Sequence, residues 1–314
     1  MWVGRCFLVR TRYNRACMKR LLNPQLLCGV VCFLLLVGCH SQDAGTSSAP
    51  SSAIQNKGSD TIVNLALAWA ERYRQVCPDV GIAVTGGGSG TGIAALVNGT
   101  VDIANASRKI KDKEVADARA NGIEPVQFVI ARDAIAVIVH PDNPVDELTI
   151  PQLADIFSGK ITNWAEVGGA DRPIVLLSRE TNSGTHVYFL EQVVRQGRKE
   201  DTTLFSKDTL LLPSSEGIGV EVRHNPNAIG YDGLGYVTDD MKTLAVSVGD
   251  GEPYWSPTVE TVNQGQYPIA RDLYMYTAGE PQGAIKTYLD WILGDEAQRI
   301  VLDLGFVPVH RTDN

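Results

Sequence analysis

The sequence predicts an α/β fold large enough for about two domains. Strand-like and helix-like segments alternate along the chain, which is typical of helices packed on a sheet. Residues 134–139 form a continuous, mostly β-branched apolar run, as expected of a strand buried on both faces. Once residues 1–38 are set aside as a targeting segment, 276 of the 314 residues remain. At about 150 residues per domain, this length suits two domains.

The individual elements follow from periodicity and from turn residues. Thr149 and Gln152 form a capping-box pattern with Pro151 in the first turn, so a helix is expected to begin there and to end at Phe157. The other expected helices cover residues 61–76, 91–97, 185–194, 217–224, 281–293 and 296–304. The expected strands cover residues 80–84, 101–104, 126–130, 134–139, 173–177 and 228–231.

The first 38 residues resemble a secretion signal, with six basic residues and no acidic one. The apolar run over residues 26–37 is shorter than the roughly 20 residues that cross a bilayer, so it suits the core of a signal peptide. A stop-transfer anchor is the alternative. Gly38 before Cys39 resembles the bacterial lipobox, in which the cysteine is lipidated and becomes the N-terminus. Residues 39–53 would then be a flexible tether that holds a soluble body at the outer face of a membrane.

Charge and cysteine content exclude several classes of function. The net charge of −8 becomes −14 without residues 1–38, and such a surface repels nucleic acid and anionic lipid. Five of the six cysteines lie at or before Cys39, which leaves Cys77 without a partner for an intramolecular disulfide. Cys77 follows a predicted helix and is expected to be a small buried hydrophobe. No Cys/His cluster has zinc spacing, so neither a metal nor another cofactor is expected.

Three small polar loops each precede a predicted helix. Backbone N–H groups at a helix N-terminus are unsatisfied and partly positive, glycine lets an anion approach them, and hydroxyl groups add donors. Three converging loops could therefore solvate an oxyanion, and an arginine could add a bidentate contact. Each loop by itself could equally be an ordinary cap and turn. The loops are Gly58-Ser59-Asp60-Thr61, the glycine-rich residues 86–92, and Arg179-Glu180-Thr181-Asn182-Ser183-Gly184-Thr185.

The enzymatic patterns that such loops suggest fail on spacing. A P-loop needs a lysine after Gly92, where the chain has none. A dinucleotide fingerprint beginning at Gly86 and a nucleophile elbow centred on Ser89 both need glycine at the position of Thr91. His186 could be imagined as a general base, but nothing nearby in sequence orients it, so a partly exposed helix-face histidine is expected.

In this order, the three loops resemble the PstS family, the phosphate-binding subunits of bacterial phosphate ABC transporters. The residues that complete the resemblance are 155–164 and Asn227-Ala228-Ile229-Gly230-Tyr231, and it covers residues 55–309. It implies a two-lobed, hinged periplasmic-binding-protein-like fold of type II that closes on one phosphate in a cleft between its lobes. Lobe 1 would be residues 54–132 with 269–314, and lobe 2 residues 133–268. It also implies a membrane permease as partner, no enzymatic activity, a monomer, and a location in the periplasm or on the outer face of a bacterial membrane.

The resemblance also implies a set of ligand-binding residues. A well-studied branch of the family has acidic residues where this chain has Arg108 and Thr181. Asp60 is expected to supply the missing carboxylate, although it could instead simply cap the helix at Thr61. Arg108 could add positive charge to the site or face solvent, and Glu180 and Asp232 are further candidate acceptors. The full set is Ser59, Asp60, Thr61, Ser89, Ser107, Arg108, Arg179, Ser183, Gly184 and Thr185.

Three alternatives stay open at this point. The same fold could bind sulfate, molybdate or another oxyanion, and an acidic acceptor in the site would discriminate between them. A secreted phosphatase is a second alternative, although no metal-ligand cluster or nucleophile–base pair in the sequence supports it. A signalling or adhesive lipoprotein that reuses a binding fold is the third.

Overall fold

The computed structural model describes residues 53–310, so the predicted signal, the lipobox Cys39 and nearly all of the tether lie outside the described residues. Among residues 53–310 no helix has the length and apolar character to cross a membrane. The strands are β1 (Ile54–Gly58), β2 (Ile82–Thr85), β3 (Ile103–Ala106), β4 (Val126–Val139), β5 (Glu147–Thr149), β6 (Val175–Arg179), β7 (Leu210–Leu212), β8 (Ala228–Gly233), β9 (Lys242–Thr243), β10 (Ala245–Ser247) and β11 (Ala270–Thr277). The helices are α1 (Asp60–Val76), α2 (Ser89–Val97), α3 (Asp112–Ala120), α4 (Ile150–Phe157), α5 (Gly184–Phe189), α6 (Ser215–His224), α7 (Val259–Asn263), α8 (Gly283–Ile292) and α9 (Asp295–Asp303).

Most of the strands form one mixed sheet in the order β2-β1-β3-β11-β4-β8-β6-β7, and β9 also pairs with β4. The two ends of the sheet are parallel, whereas β11 runs antiparallel to both β3 and β4. The long strand β4 joins the two halves, because its first half pairs with β11 and its second half pairs with β8. The parallel strands therefore lie in two half-sheets, one with β1, β2 and β3 and one with β6, β7 and β8, and β4 belongs to both.

Strand β4 corrects the prediction of two separate strands over residues 126–130 and 134–139. Arg132 and Asp133 lie between the two predicted strands. The strand continues because Asp133 lies directly opposite Arg271 of β11 and forms an ion pair with it. A charged residue inside a buried strand is tolerated when such a partner is present.

Buried apolar side chains form two main cores. One core contains Trp69 and gathers side chains from α1, α8, α9, β1, β3 and β11. The other contains Phe157 and gathers side chains from α4, α5 and β8. Strand β4 contributes to both, and it passes from the first core to the second between Ala131 and Ala134. The lobe boundaries given by the resemblance stay a prediction.

The predicted elements agree with the structure to within a few residues where local chemistry defines them. The capping box is confirmed, since Thr149 Oγ1 accepts from the Gln152 amide and Gln152 Oε1 accepts from the Thr149 amide. The helix predicted over residues 185–194 is α5 followed by a π-helical turn over Leu190–Val194. Helix α3 was not predicted, because Ala118 is its single buried side chain and it lacks an apolar stripe. Cys77 is half-buried at the end of α1 rather than fully buried.

Candidate functional site

The three polar loops of the sequence meet at one place in the structure. The Gly90 amide donates to Asn182 O at 3.0 Å, which joins the second loop to the third. The hydroxyl oxygens of Thr61 and Thr185 lie 2.9 Å apart, which joins the first loop to the third. The N-termini of α1, α2 and α5 therefore converge, an arrangement that suits an oxyanion.

Four buried hydroxyl groups form the centre of this region, and we call them the hydroxyl cluster: Thr61, Ser89, Ser107 and Thr185. Ser89 Oγ accepts from the Ser107 amide at 3.0 Å and lies 3.2 Å from Ser107 Oγ. Thr185 Oγ1 accepts from Arg271 Nη2 at 3.0 Å. A hydroxyl that already accepts from a fixed donor has its own O–H proton left to donate. The hydroxyls of Ser89 and Thr185 are therefore set to donate hydrogen bonds.

Gly184 lies against the hydroxyl cluster so closely that no other residue fits at its position. A Cβ atom there would lie 2.5 Å from Ser107 Oγ and would overlap Ser89 Oγ. Glycine therefore allows the backbone at the start of α5 to approach these hydroxyls. Ser183 Oγ caps the same helix and accepts from the Thr185 amide at 3.2 Å.

Arg179 is buried at the end of β6 and joins the first loop to the start of α6. Its guanidinium lies 3.1 Å from Asp60 Oδ2, and it donates to Ser215 Oγ at 2.7 Å and to Pro213 O at 2.8 Å. Its Nε donates to Leu212 O at 3.4 Å. A guanidinium has five N–H groups, so these three hydrogen bonds and the ion pair with Asp60 leave at least one N–H without a partner among residues 53–310.

Asp60 is not the helix cap that the sequence left open as its alternative role. The N-cap of α1 is Ser59, which is buried and makes no side-chain capping hydrogen bond, and Asp60 is the first helical residue. Asp60 Oδ2 instead accepts from the Ser215 amide at 2.8 Å and pairs with Arg179. This leaves Asp60 Oδ1 without a hydrogen bond among residues 53–310, on the side of the glycine-rich loop at Gly86.

Arg271, which was not predicted from the sequence, contributes a second guanidinium to this region. Arg271 donates to both Asp133 Oδ2, at 2.9 Å, and Ser107 O, at 3.0 Å, in addition to Thr185. Burial raises the pKa of Asp133, and the charge of Arg271 acts against that rise. The one available signal was that Asp133 in β4 and Arg271 in β11 are charged residues within mostly apolar strands. The sequence does not show that these two residues face each other.

Ser215 and Asp232 extend the network below Arg179. Ser215 Oγ donates to Asp232 Oδ1 at 2.9 Å, and the Gly233 amide donates to the same oxygen at 2.8 Å. Asp232 Oδ2 is buried and has no partner in the described part of the chain. Burial raises the pKa of Asp232 to about 7, although the charge of Arg179 acts against that rise. Glu180, the other candidate acceptor, is exposed.

We expect Asp232 to make the stability of the ligand-free protein depend on pH. Its pKa in the folded protein lies above the value near 4 of an unfolded chain, so its stabilising contribution is full below pH 4 and is lost as the pH rises through 7. Asp232→Asn keeps the acceptor oxygen and removes the charge. The free energy of unfolding of this variant minus that of the wild type should therefore increase by about 3 kcal/mol between pH 5 and pH 8. Urea titrations in phosphate-free buffers measure the difference, and parallel pH curves for the two proteins would contradict it.

His186 is buried rather than partly exposed, which corrects the prediction. Its Nδ1 lies 3.0 Å from Ser178 Oγ, which in turn lies 2.6 Å from the Tyr231 hydroxyl. Burial lowers the pKa of His186, so the neutral imidazole is favoured. These contacts connect α5 to β6 and β8.

Arg108 makes its hydrogen bonds away from the hydroxyl cluster. It forms a bidentate pair with Glu114 at 2.7 and 2.8 Å and also donates to Lys109 O. Burial alone would raise the pKa of Glu114, but hydrogen bonds from Arg108 and the Lys111 amide outweigh burial and lower it. Arg108 is buried rather than facing solvent, and its Nε has no partner among residues 53–310.

Several known proteins that are similar to this chain are phosphate-binding proteins. Residues 44–296 match the PBP superfamily domain. The phosphate-binding protein PstS of Pseudomonas aeruginosa is 32% identical over 280 residues, which cover 84% of this chain and 85% of that protein. PstS of Bacillus subtilis is 34% identical over 276 residues, with coverage of 86% and 85%. The chain belongs to the PstS family.

Solved structures place the fold of this PstS family member among phosphate-transport proteins. A Clostridium perfringens protein, described as a phosphate ABC transporter substrate-binding protein and solved with bound phosphate, has a TM-score of 0.74 and 33% identity. The match covers 82% of this chain and all of that one. An ABC-type phosphate transport receptor from Vibrio cholerae has a TM-score of 0.65 and 28% identity, with coverage of 81% and 99%. The prediction of a periplasmic-binding-protein-like α/β fold is confirmed.

The polar groups at the centre of the site indicate what kind of ligand it can hold. No group of three or more His, Cys, Asp or Glu side chains is placed to bind a metal within the described range 53–310. The polar centre consists instead of hydroxyls, backbone amides, two arginines and three carboxylates. Such a donor set suits an oxyanion that carries a proton, because it offers many donors together with acceptors.

Proposed function

We propose that this protein is a solute-binding receptor that captures inorganic phosphate and delivers it to the permease of an ABC transporter. The observation that carries the proposal is the convergence of three helix N-termini on a buried cluster of hydroxyls, of which Ser89 and Thr185 have protons left to donate. Membership of the PstS family supports the same ligand and the same transport partner. Binding is reversible and non-covalent, and the protein is not proposed to be an enzyme.

The proposed ligand site uses the residues that the sequence singled out, with additions from the structure. Phosphate would receive hydrogen bonds from the hydroxyl cluster, from the free N–H of Arg179, and from the amides at the starts of α1 and α5. Charge-assisted hydrogen bonds contribute about 1.5–3 kcal/mol each, so a handful of them supports micromolar or tighter affinity after the costs of association. Ser59 and Ser183 are proposed to shape the loops, and Arg108 to act from outside the hydroxyl cluster.

A calorimetric titration with a blocked variant tests the proposal. Gly184→Ala places a methyl group onto Ser89 and Ser107, so we expect the affinity for phosphate to fall at least tenfold. Gly249→Ala is the matched control, because a Cβ atom there meets nothing within 4 Å and the affinity should not change. Absence of phosphate binding by the wild-type protein, or equal affinities for all three proteins, would refute the proposed site.

Phosphate is proposed to be distinguished from sulfate by Asp60. At neutral pH phosphate retains a proton that a carboxylate can accept, whereas sulfate presents only repelling lone pairs. Asp60 Oδ1 has no other hydrogen bond in the described structure and lies on the side of the glycine-rich loop. Asp60→Asn removes the negative charge that repels sulfate and can place an NH2 donor where the carboxylate oxygen was. The ratio of phosphate affinity to sulfate affinity should therefore fall at least tenfold in parallel titrations. Unchanged rejection of sulfate by Asp60→Asn, together with its loss in Asp232→Asn, would move the acceptor to Asp232.

The protein is also proposed to be anchored to a membrane by a lipid and to consist of two lobes. A monomeric body held outside the cell membrane through a lipid on Cys39 is consistent with the lipobox pattern at Gly38-Cys39. Lobes of residues 54–132 with 269–314 and of residues 133–268 are proposed to close on the ligand, with β4 and the segment that leads into β11 as the connections. Membrane fractions should retain the wild-type chain and lose the Cys39→Ala variant. Retention of that variant would instead indicate an uncleaved anchor.

A further inference from the structure

A cleft of about 810 Å3 lies next to the proposed phosphate site. Its walls come from the loop before α3, from the strands β4 and β11, and from the segment that follows α5. Cationic side chains predominate among its charged residues, and we call it the basic cleft. The cations are Arg108, Lys109, Lys111, Arg132, Lys199 and Arg271.

Ion pairs in the described part of the chain involve only two of these six cations. Arg108 and Arg271 form ion pairs with Glu114 and Asp133. In contrast, the other four cations of the basic cleft form no ion pair within residues 53–310. Three acidic side chains, Asp112, Glu191 and Asp272, also line the cleft. The unpaired charges of the cleft therefore sum to a small positive value.

A positive cleft is unexpected on a chain with this overall charge. The protein has a net charge of −8, which becomes −14 without residues 1–38. A phosphate dianion that approaches such a protein is repelled by the average surface. A local excess of cations lowers the repulsion of phosphate at that place. The effect is greatest where the walls of the cleft exclude water.

The basic cleft and the hydroxyl cluster are connected through one side chain. Arg271 lines the cleft, and the same guanidinium donates to Thr185 Oγ1 and to Ser107 O, each at 3.0 Å. An anion in the cleft and an anion at the hydroxyl cluster would therefore approach the same group. Arg108 lines the cleft beside the second loop, and its buried Nε is available for a hydrogen bond.

We propose that the basic cleft is an antechamber that holds phosphate by charge before it passes Arg271 to the hydroxyl cluster. This inference rests on the proposed function, because it takes phosphate as the ligand and the hydroxyl cluster as its destination. The cleft binds the dianion weakly and without a fixed geometry, since its lysines are exposed point charges. Its effect is to raise the rate of association rather than to set the final affinity.

Stopped-flow association kinetics with inorganic phosphate test the antechamber. The variant Lys111→Gln/Lys199→Gln removes one exposed lysine from each side of the cleft. The matched control Lys113→Gln/Lys207→Gln removes two exposed lysines that do not line it, one on α3 and one before β7. Both variants change the net charge by the same amount, so a difference between them reports position alone. We expect the cleft variant to associate about fivefold more slowly than the control at about 10 mM salt, and the difference to fall below twofold at about 1 M salt.

Two results would overturn the antechamber, and a separate result would concern the proposed function. Equal association rates of the two double variants at low salt would show a general charge effect. A slower cleft variant whose rate deficit persists at about 1 M salt would show a structural defect. Both outcomes assume normal equilibrium binding of phosphate by the wild type, which calorimetry establishes first. If calorimetry shows no binding of phosphate by the wild type, the proposed function and the antechamber are both refuted. This result comes before any rate is measured, so it is distinguishable from failure of the antechamber alone.

Discussion

Replacing Arg179 with alanine is expected to lower the affinity for phosphate at least a hundredfold. The substitution removes the guanidinium that lies 3.1 Å from Asp60, and with it the N–H group that is proposed to bind phosphate. A hundredfold loss corresponds to about 2.7 kcal/mol, which is within the range for a hydrogen bond to a charged group plus an unpaired carboxylate. The same change leaves Ser215 Oγ and two backbone carbonyls without their donor, so thermal stability should fall as well.

Two comparisons separate the role of Arg179 in binding from its role in folding. Arg179→Lys keeps a positive charge beside Asp60 but loses the planar fork, so we expect an intermediate loss of about tenfold. Arg72→Ala removes an exposed arginine from its surface pair with Glu296 and should leave the affinity unchanged. Calorimetric titration measures all three variants. Wild-type affinity in a folded Arg179→Ala protein would exclude the third loop from the site.

Replacing Arg271 with methionine is expected to lower the free energy of unfolding by about 3–5 kcal/mol. Asp133 is fully buried, and without Arg271 its remaining hydrogen bond comes from the Leu234 amide at 3.1 Å. A buried carboxylate that loses its cation carries a desolvation cost without compensation. Because Arg271 also donates to Thr185 and Ser107, the affinity for phosphate should decrease too.

A double variant distinguishes the loss of the ion pair from a simple packing defect. Asp133→Leu combined with Arg271→Met removes both buried charges, and it should recover most of the stability lost in Arg271→Met alone. Arg119→Met serves as the surface control, because Arg119 and Glu124 are both largely exposed and their ion pair should contribute little to stability. Urea denaturation gives the free energies. A double variant no more stable than Arg271→Met would mean that the single variant fails through packing.

The sequence predicted the three polar loops and most of the helices because short-range chemistry defines them. Thr149, Pro151 and Gln152 lie within one turn of each other, so their capping box is visible in the sequence. Likewise, glycines next to hydroxyl residues mark a possible anion site wherever a helix follows. Helix α3 was missed because it buries too little apolar surface to show a period.

The sequence by itself determined the α/β class, the three glycine- and hydroxyl-rich loops before helices, and the resemblance to the PstS family. Only the tertiary structure decided which charges stand together. Arg271 and Asp133 are 138 positions apart, and they meet because β11 pairs with β4 in one particular register. Asp60 likewise changes from a possible helix cap to the partner of Arg179, because the folds of two distant loops bring them together. Burial then sets the energetics of these groups, since a charge that water would stabilise in the unfolded chain must find its partner inside the protein.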